Sequence, residues 1–510
     1  MAGGVALAQT TTRVNVSSAG EQAERLSFSS LNQTGAVTVS ADGRYVVFAS
    51  TSTRLVPNDT NGRNDVFVHD RQTGQTTRVS VASDGTQGNS DSGSAAISGD
   101  GRYVVFTSYA TNLVPGDTNG RWDVFVHDRL TGQTTRVSMS SLDVNQGNQD
   151  SEVPSISADG RYVAFQSRAS NLVQGDTNGV SDIFVHDRQT STTIRVSKNT
   201  NGNQGNDRSF DPVISADGNY VTFGSHASNL VADDTNNRSD IFVHHIPTAQ
   251  TIRASVASDG TQGNENSGYG SSISSDGRYV IFGSQASNLV PGDTNGEQDL
   301  FWHDCQTGQT SRISLDSAGN QITTSSARPN ISANGQYAAF ITAARLIPED
   351  TNGYWDVYVR NLATGQLRRV SVRTGGSQSN GSSEYPSINE NGTVVAFESG
   401  ARDMVDNDTN DATDIFVYDL QGVPPPPSML AATRPKANAV NVPRRDPIVV
   451  TFAQPVVMGS AEQRFSVIPG GPAMGSAQAG TPITGKIDWL KAFTTMRFTP
   501  DMPLPALSPV

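Results

Sequence analysis

Short runs of β-branched and aromatic residues alternate with polar stretches rich in Gly, Asn, Asp and Ser over residues 9 to 421, and no helical period interrupts them. One stretch shows the grammar. Ala95-Ala96-Ile97-Ser98 reads as a short strand, Gly99-Asp100-Gly101 as a turn, and Arg102 to Thr107 as a second strand. A long polar loop, Ser108 to Trp122, leads into a third strand, Asp123 to His127. Asp128 to Gln133 reads as a hairpin turn, and Thr134 to Met139 as the fourth strand. Four antiparallel strands joined by turns predict one propeller blade.

The block repeats. Asp-Thr-Asn triplets begin at Asp59, Asp117, Asp176, Asp234, Asp293, Asp350 and Asp408, with a period of about 58 residues. A second Asp follows each, at Asp65, Asp123, Asp182, Asp240, Asp299, Asp356 and Asp414. The first three strands recur in every copy, but the seventh copy runs from Asp414 to Leu420 into Gln421-Gly422-Val423 and four prolines without a fourth. Thr10 to Val16 resembles Thr76 to Val81, so the first strand of the chain is expected to complete the last blade. The fold class expected is all-β: a seven-bladed β-propeller closed by the N-terminal strand.

Ser157-Ala158-Asp159-Gly160-Arg161-Tyr162-Val163-Ala164-Phe165 resembles the WD-like repeat of TolB-type β-propellers. This sequence is not expected to include the α/β domain that precedes the propeller in TolB. Its Asp pattern also differs from the Asp-box of sialidases. Pro424 to Pro427 form a stiff linker within residues 422–428. Beyond it, Ile448-Val449-Val450-Thr451-Phe452 and Met496-Arg497-Phe498-Thr499-Pro500 resemble a bacterial immunoglobulin-like domain of the S-layer type. Residues 429–510 are therefore expected to form a partial immunoglobulin-like β-sandwich. Val5-Ala6-Leu7-Ala8-Gln9 carries the small-x-small ending of a signal-peptide cleavage site, so residues 1–8 read as its remnant or as a disordered start, and the protein is expected to be exported, periplasmic or extracellular.

Composition narrows the choice. The chain holds 35% hydrophobic and 17% charged residues with 48 glycines, which suits a turn-rich β protein. No apolar run approaches the ~20 residues of a transmembrane helix. Cys305 is alone, so no internal disulfide forms. Net charge is −13, and without the fourteen paired Asp it becomes +1, so the acidity is local to one repeated loop. An acidic chain with no arginine stripe presents no nucleic-acid surface.

Candidate chemistry gathers on one face. The loops between second and third strands and the connections between blades are long and share that face, while the opposite face carries tight turns. In the long loops, the carboxylates named above and the amide oxygens of Asn61, Asn119, Asn178, Asn236, Asn295, Asn352 and Asn410 are a ligand set for Ca²⁺. The same residues also suit capped turns, because Asp and Asn side chains bond nearby backbone N–H groups. The fourth position is Gly in five copies, Asn237 in one and Asp411 in another, all tolerant of positive φ. Loop arginines (Arg63, Arg121, Arg238) are placed to neutralise the Asp residues. His69, His127, His186, His244 and His303 occupy one equivalent position, one per blade, and are too dispersed for a shared metal. Trp122 and Tyr354-Trp355 precede the second Asp of their loops, and packing is their expected role. First strands end in Ser40, Ser98, Ser157, Ser215, Ser274, Ser332 and Asn389, with no repeated acid–base pair, and no Gly-x-Ser-x-Gly elbow follows. The function expected is an exported, non-enzymatic scaffold presenting its loop-rich face to a protein or cell-envelope glycan, with Ca²⁺ a candidate stiffener. The alternative is a secreted carbohydrate-active enzyme, a lyase or hydrolase using that face or the channel.

Overall fold

The computed structural model describes residues 10–24, 27–28, 38–141 and 145–420, together with 430–434, 448–452, 485–490 and 495–500. Two compact units divide the chain after Gly422. Among the described residues there is no helix.

The first unit is a seven-bladed β-propeller, as the repeat predicts. Six sheets are four-stranded, and the sheet of the first blade has its innermost strand in two pieces, Ser27–Phe28 and Thr38–Val39. In blade two the strands are Ser92–Ile97, Tyr103–Ser108, Asp123–Asp128 and Thr134–Arg136, each antiparallel to the next. Each innermost strand lies against that of the following blade, and the last lies against the first, so the ring is closed. Blade seven consists of Ser383–Ile388, Val394–Ser399 and Asp414–Asp419, with Thr10–Arg13 pairing on its outer side. The register joins Thr10 to Asp419 and Arg13 to Phe416.

The core is distributed. Each second and third strand is buried on both faces, and apolar side chains interlock between neighbouring blades. One layer joins Val47, Val66 and Val68 of blade one to Ile97, Val104 and Phe106 of blade two. Within each blade an aromatic pair crosses the two central strands, such as Phe106 and Phe125 with centroids 5.9 Å apart; the rings are stacked in six blades and tilted in the seventh. The inter-blade approach is close at the tight turns: Gly101 has φ +73°, and a Cβ there would lie 2.1 Å from the Tyr45 ring of the preceding blade. Only glycine meets both demands.

Two local features differ from the expected strand pattern. The fourth strand ends early, at Arg136 rather than Met139, because Met139 instead bridges Gln146 and folds the chain into a short hairpin. The first strand starts earlier, at Ser92, and contains a bulge between Gly93 and Ala96.

In the second unit, strands Leu430–Arg434, Ile448–Phe452, Thr495–Pro500 and Gly485–Leu490 lie in that order in one antiparallel sheet. One sheet is what the described residues establish; the rest of the expected immunoglobulin-like sandwich, the linker and residues 1–8 lie outside them.

Candidate functional site

The seven acidic loops share an Asp pair held by Arg and by Ser or Asn; a Gln bridge to the pair is added in the first, fifth and seventh, whereas Gln146 and Gln262 donate to Thr118 and Thr235. In the first, the Gly62 backbone takes φ +61°, and Asn61 accepts the Arg63 backbone N–H through Oδ1 at 2.8 Å. Asn237 and Asp411 adopt the same left-handed conformation in their blades. The Asn61 amide nitrogen donates to Asp65 Oδ2 at 3.0 Å and to the Gly88 carbonyl at 3.0 Å. Asp65 Oδ1 accepts the Ser80 hydroxyl at 2.5 Å. Gln87, from the connection to the next blade, donates to Asp59 at 2.8 Å and to Asp65 at 3.1 Å.

A cation is already in place between the two carboxylates. Arg78 Nη1 lies 3.4 Å from Asp59 and 3.6 Å from Asp65. The same fourth-strand position supplies Arg136 to Asp117 and Asp123, Arg195 to Asp176 and Asp182, and Arg253 to Asp234 and Asp240. Arg312 serves Asp293 and Asp299, and Arg369 serves Asp350 and Asp356. For Asp408 and Asp414 the arginine is Arg13, 3.4 Å from each, delivered by the strand that closes the ring. Asn119, Asn178, Asn236, Asn295 and Asn410 also donate to the second Asp of their own loops, while Asn352 donates to the Ser379 carbonyl.

The neutralising arginines are thus those of the outer strands, not the loop residues Arg63, Arg121 and Arg238. Arg63 instead faces Asp91 at 3.7 Å and Arg238 faces Glu265 at 3.1 Å, while the Arg121 backbone caps Asn119. The signal was present in the sequence, since Arg, Ser and Gln recur in phase with the Asp pairs. Burial pushes Asp182, Asp234 and Asp356 up to about 6 despite the arginine beside each. Among the described residues, no group of three or more His, Cys, Asp or Glu is disposed to hold a metal.

The histidines are inter-blade ties. His186 Nδ1 lies 3.0 Å from Thr193 Oγ1, and that hydroxyl donates at 2.7 Å to the Met139 carbonyl of the previous blade. With the hydroxyl proton committed, Nδ1 is the donor. His69, His127, His244 and His303 make the same contact with Thr76, Thr134, Thr251 and Thr310. Burial lowers His69, His186 and His244 to about 4.

The serines that end the first strands are turn caps. Ser98 Oγ donates to Asp100 at 2.6 Å and accepts the Tyr103 N–H at 2.9 Å; Ser40, Ser157, Ser215, Ser274 and Ser332 repeat this. Trp122 packs on Tyr109 at 5.7 Å, and Trp355 lies against the core of blades six and seven.

What breaks the repeat lies at the bulges of the first strands, beside the central channel. Ser94, Val153, Asp211, Arg328 and Tyr385 hold one equivalent position, with φ between 43° and 54°. Left-handed backbone at Val153 is strained, since a β-branched side chain disfavours it. The side chains there vary from blade to blade, which a search for repeats does not weigh. Arg328 lies over the Tyr385 ring at 4.4 Å and donates to its hydroxyl at 3.1 Å. Burial pushes Asp211 up to about 6, with the charge of Arg328 opposing. Nearby, a cavity of about 460 Å³ between blades three and four is lined by Glu152, Gln166, Arg168, Arg208 and Phe210.

No protein-family model matches the chain, and no curated protein does. Among solved structures it is similar to an oligogalacturonate lyase from Vibrio parahaemolyticus, with 12% identity over 81% of this chain and 97% of that one and a TM-score of 0.47. It is also similar to TolB from Acinetobacter baumannii, with 14% identity, 75% and 82% coverage and a TM-score of 0.35. A putative TolB from Agrobacterium tumefaciens gives 15% identity, 55% and 79% coverage and a TM-score of 0.34. No helix among the described residues is long and apolar enough to cross a membrane.

Proposed function

We propose that this protein is an exported, non-enzymatic binding scaffold that presents its loop-rich face to a protein or cell-envelope glycan. One observation carries this: every repeated Asp pair is bridged by a guanidinium and its second Asp is held by a Ser hydroxyl or the Asn15 amide, with Gln added in three loops, so the carboxylates stiffen the face rather than act on a substrate. In this reading the guanidinium takes the place that Ca²⁺ would fill, and the loops need no metal. The partner is met by residues that depart from the repeat. The 460 Å³ cavity offers an aromatic edge at Phe210 with Glu152, Arg168 and Arg208 beside it, a combination of apolar and hydrogen-bonding groups suited to a sugar unit.

Asp211, Arg328 and Tyr385 favour a second reading, a carbohydrate-active enzyme working in the channel. A carboxyl with a pKa near 6 that feels the charge of Arg328, itself stacked on the Tyr385 phenol, supplies the groups of an acid–base set. Calorimetric titration with cell-envelope glycan fragments and polyuronates, run alongside assays for reducing ends and unsaturated products, separates the two. Saturable binding weakened at least tenfold by Phe210→Ala, with no product, is expected. Product formation that Asp211→Asn abolishes would establish the enzyme instead.

A further inference from the structure

The tight-turn face breaks its own pattern at one inter-blade joint. After the third strand, blades one, two and three carry Arg71, Arg129 and Arg188; Arg71 donates to the Gly43 carbonyl and pairs with Asp419, with Val394 where a ring would stand, while Arg129 and Arg188 each reach a tyrosine of the preceding blade. The Arg129 guanidinium carbon lies 4.2 Å from the centroid of the Tyr45 ring, and Nη1 donates to the Gly101 carbonyl at 2.5 Å. Arg188 repeats this on Tyr103 at 4.2 Å and the Gly160 carbonyl at 2.5 Å. Three other joints carry bulky apolar residues at this position: Ile246 packs against the same core cluster as Tyr162, Leu362 against that of Tyr279, and Leu420 against that of Tyr337. Blade five has Cys305 at this position, a side chain too short to cover the ring of Tyr220.

A cavity of about 400 Å³ remains, lined by Tyr220, His245, Asp276, Gly277, Arg278 and Cys305 among others. Its walls repeat the arginine seats of blades two and three. Tyr220 stands where Tyr45 and Tyr103 stand, and Gly277 where Gly101 and Gly160 stand; the Gly277 carbonyl receives no hydrogen bond among the described residues. A second substitution adjoins the first: His245 stands where five blades carry Asp and blade six Asn361, and it stacks on Tyr220 at 4.4 Å. The charge left at the rim is acidic. Arg278 is held by Asp304 at 2.8 Å, and Asp276 adds a carboxylate whose Oδ1 caps the turn through Ser274 and the Arg278 N–H. Burial pushes the Cys305 thiol up to about 12, so it is a neutral wall and not a nucleophile.

We propose that the cavity between blades four and five is a guanidinium site that takes an arginine side chain presented by a protein partner. The occupant follows from the molecule itself, which seats a guanidinium on the same ring-and-carbonyl pair in two other joints. A planar cation stacks on Tyr220, donates to the Gly277 carbonyl and faces the Asp276 carboxylate. A lysine ammonium supplies the charge but neither the plane nor the fork of donors, so the site discriminates against it. This surface lies opposite the loop-rich face and stands or falls independently of the function proposed above.

The test is saturation-transfer NMR on the full chain with a capped arginine amide, and a capped lysine amide as control. Saturable contact with the arginine probe, at least tenfold stronger than with lysine, is expected. Cys305→Arg places the repeat's own guanidinium in the seat, and Cys305→Leu copies the filling of the next joint. Both are expected to abolish the signal while keeping a melting midpoint at or above that of the unsubstituted protein. Lack of an arginine preference in the unsubstituted chain overturns the proposal whatever the variants do. So does a signal that survives in either folded variant.

Discussion

Each guanidinium at the root of an acidic loop stands between two carboxylates that are almost wholly buried; the side chains of Arg195, Asp176 and Asp182 are 11%, 5% and 0% exposed. Removing the cation strands two like charges in a poorly solvated place. We expect Arg195→Met to cost about 3–5 kcal/mol in urea unfolding, the usual penalty for breaking a buried pair from one side. Asp176→Asn relieves an excess of carboxylate over guanidinium and is expected to cost about 1 kcal/mol or less. Melting midpoints in EDTA and in Ca²⁺ should coincide. The reverse ranking, with a Ca²⁺-selective rise, would return the loops to metal sites. Histidine gives a second prediction. The folded pKa of His186 is about 4 against an unfolded value of 6.5, so between those values only the unfolded chain takes the proton. Its contribution is intact above pH 6.5 and is lost as pH falls toward 4. Asp182 works in the opposite sense, because its folded pKa near 6 lies above the unfolded 3.8 and acid stabilises it. The comparison must therefore be with His186→Gln in the same background. The unsubstituted protein should lose roughly 1 kcal/mol per pH unit relative to that variant between pH 6.5 and 4.5. Parallel stability curves would falsify the buried neutral imidazole.

At the scale of elements, the strand Thr10–Arg13 does two jobs. It covers the outer edge of Asp414–Asp419, and with the segment behind it delivers Arg13, Asn15 and Gln22 to the last acidic loop. Its deletion, as a chain starting at residue 25, leaves an unpaired edge strand and two buried carboxylates without their cation. Size-exclusion chromatography is expected to show oligomers or aggregate, and a peptide of residues 10–24 added in trans should restore the monomer. A truncated chain that stays monomeric with an unchanged melting midpoint would show that the closure is dispensable. This closure was legible in the sequence because a missing fourth strand and a surplus initial one share the pattern Thr-Thr-Arg-Val. The first-strand bulges were not. Ser94, Val153, Asp211, Arg328 and Tyr385 have no common chemistry, and glycine, the usual sequence sign of left-handed backbone, holds the position only at Gly270.

For the molecule as a whole, a strict period dictates the ring. Apolar runs with period-two character, Asp-Gly turns and in-phase Asp-Thr-Asn loops specify a unit whose faces bury only against copies of itself, so seven copies imply seven blades and distributed inter-blade cores. That much the sequence determined unaided, because strand pattern and turn chemistry are local properties. Which arginine neutralises which carboxylate, the tie from His186 through Thr193 to the blade before, and the empty seat beside Tyr220 are contacts made across strands or across blades. They bring together residues 13 and 408, 139 and 193, or 220 and 305 across a cavity, and nothing local to either partner encodes the meeting. Only the closed ring decides them, since the distances within a blade are set by pairing register and those between blades by packing of the buried faces.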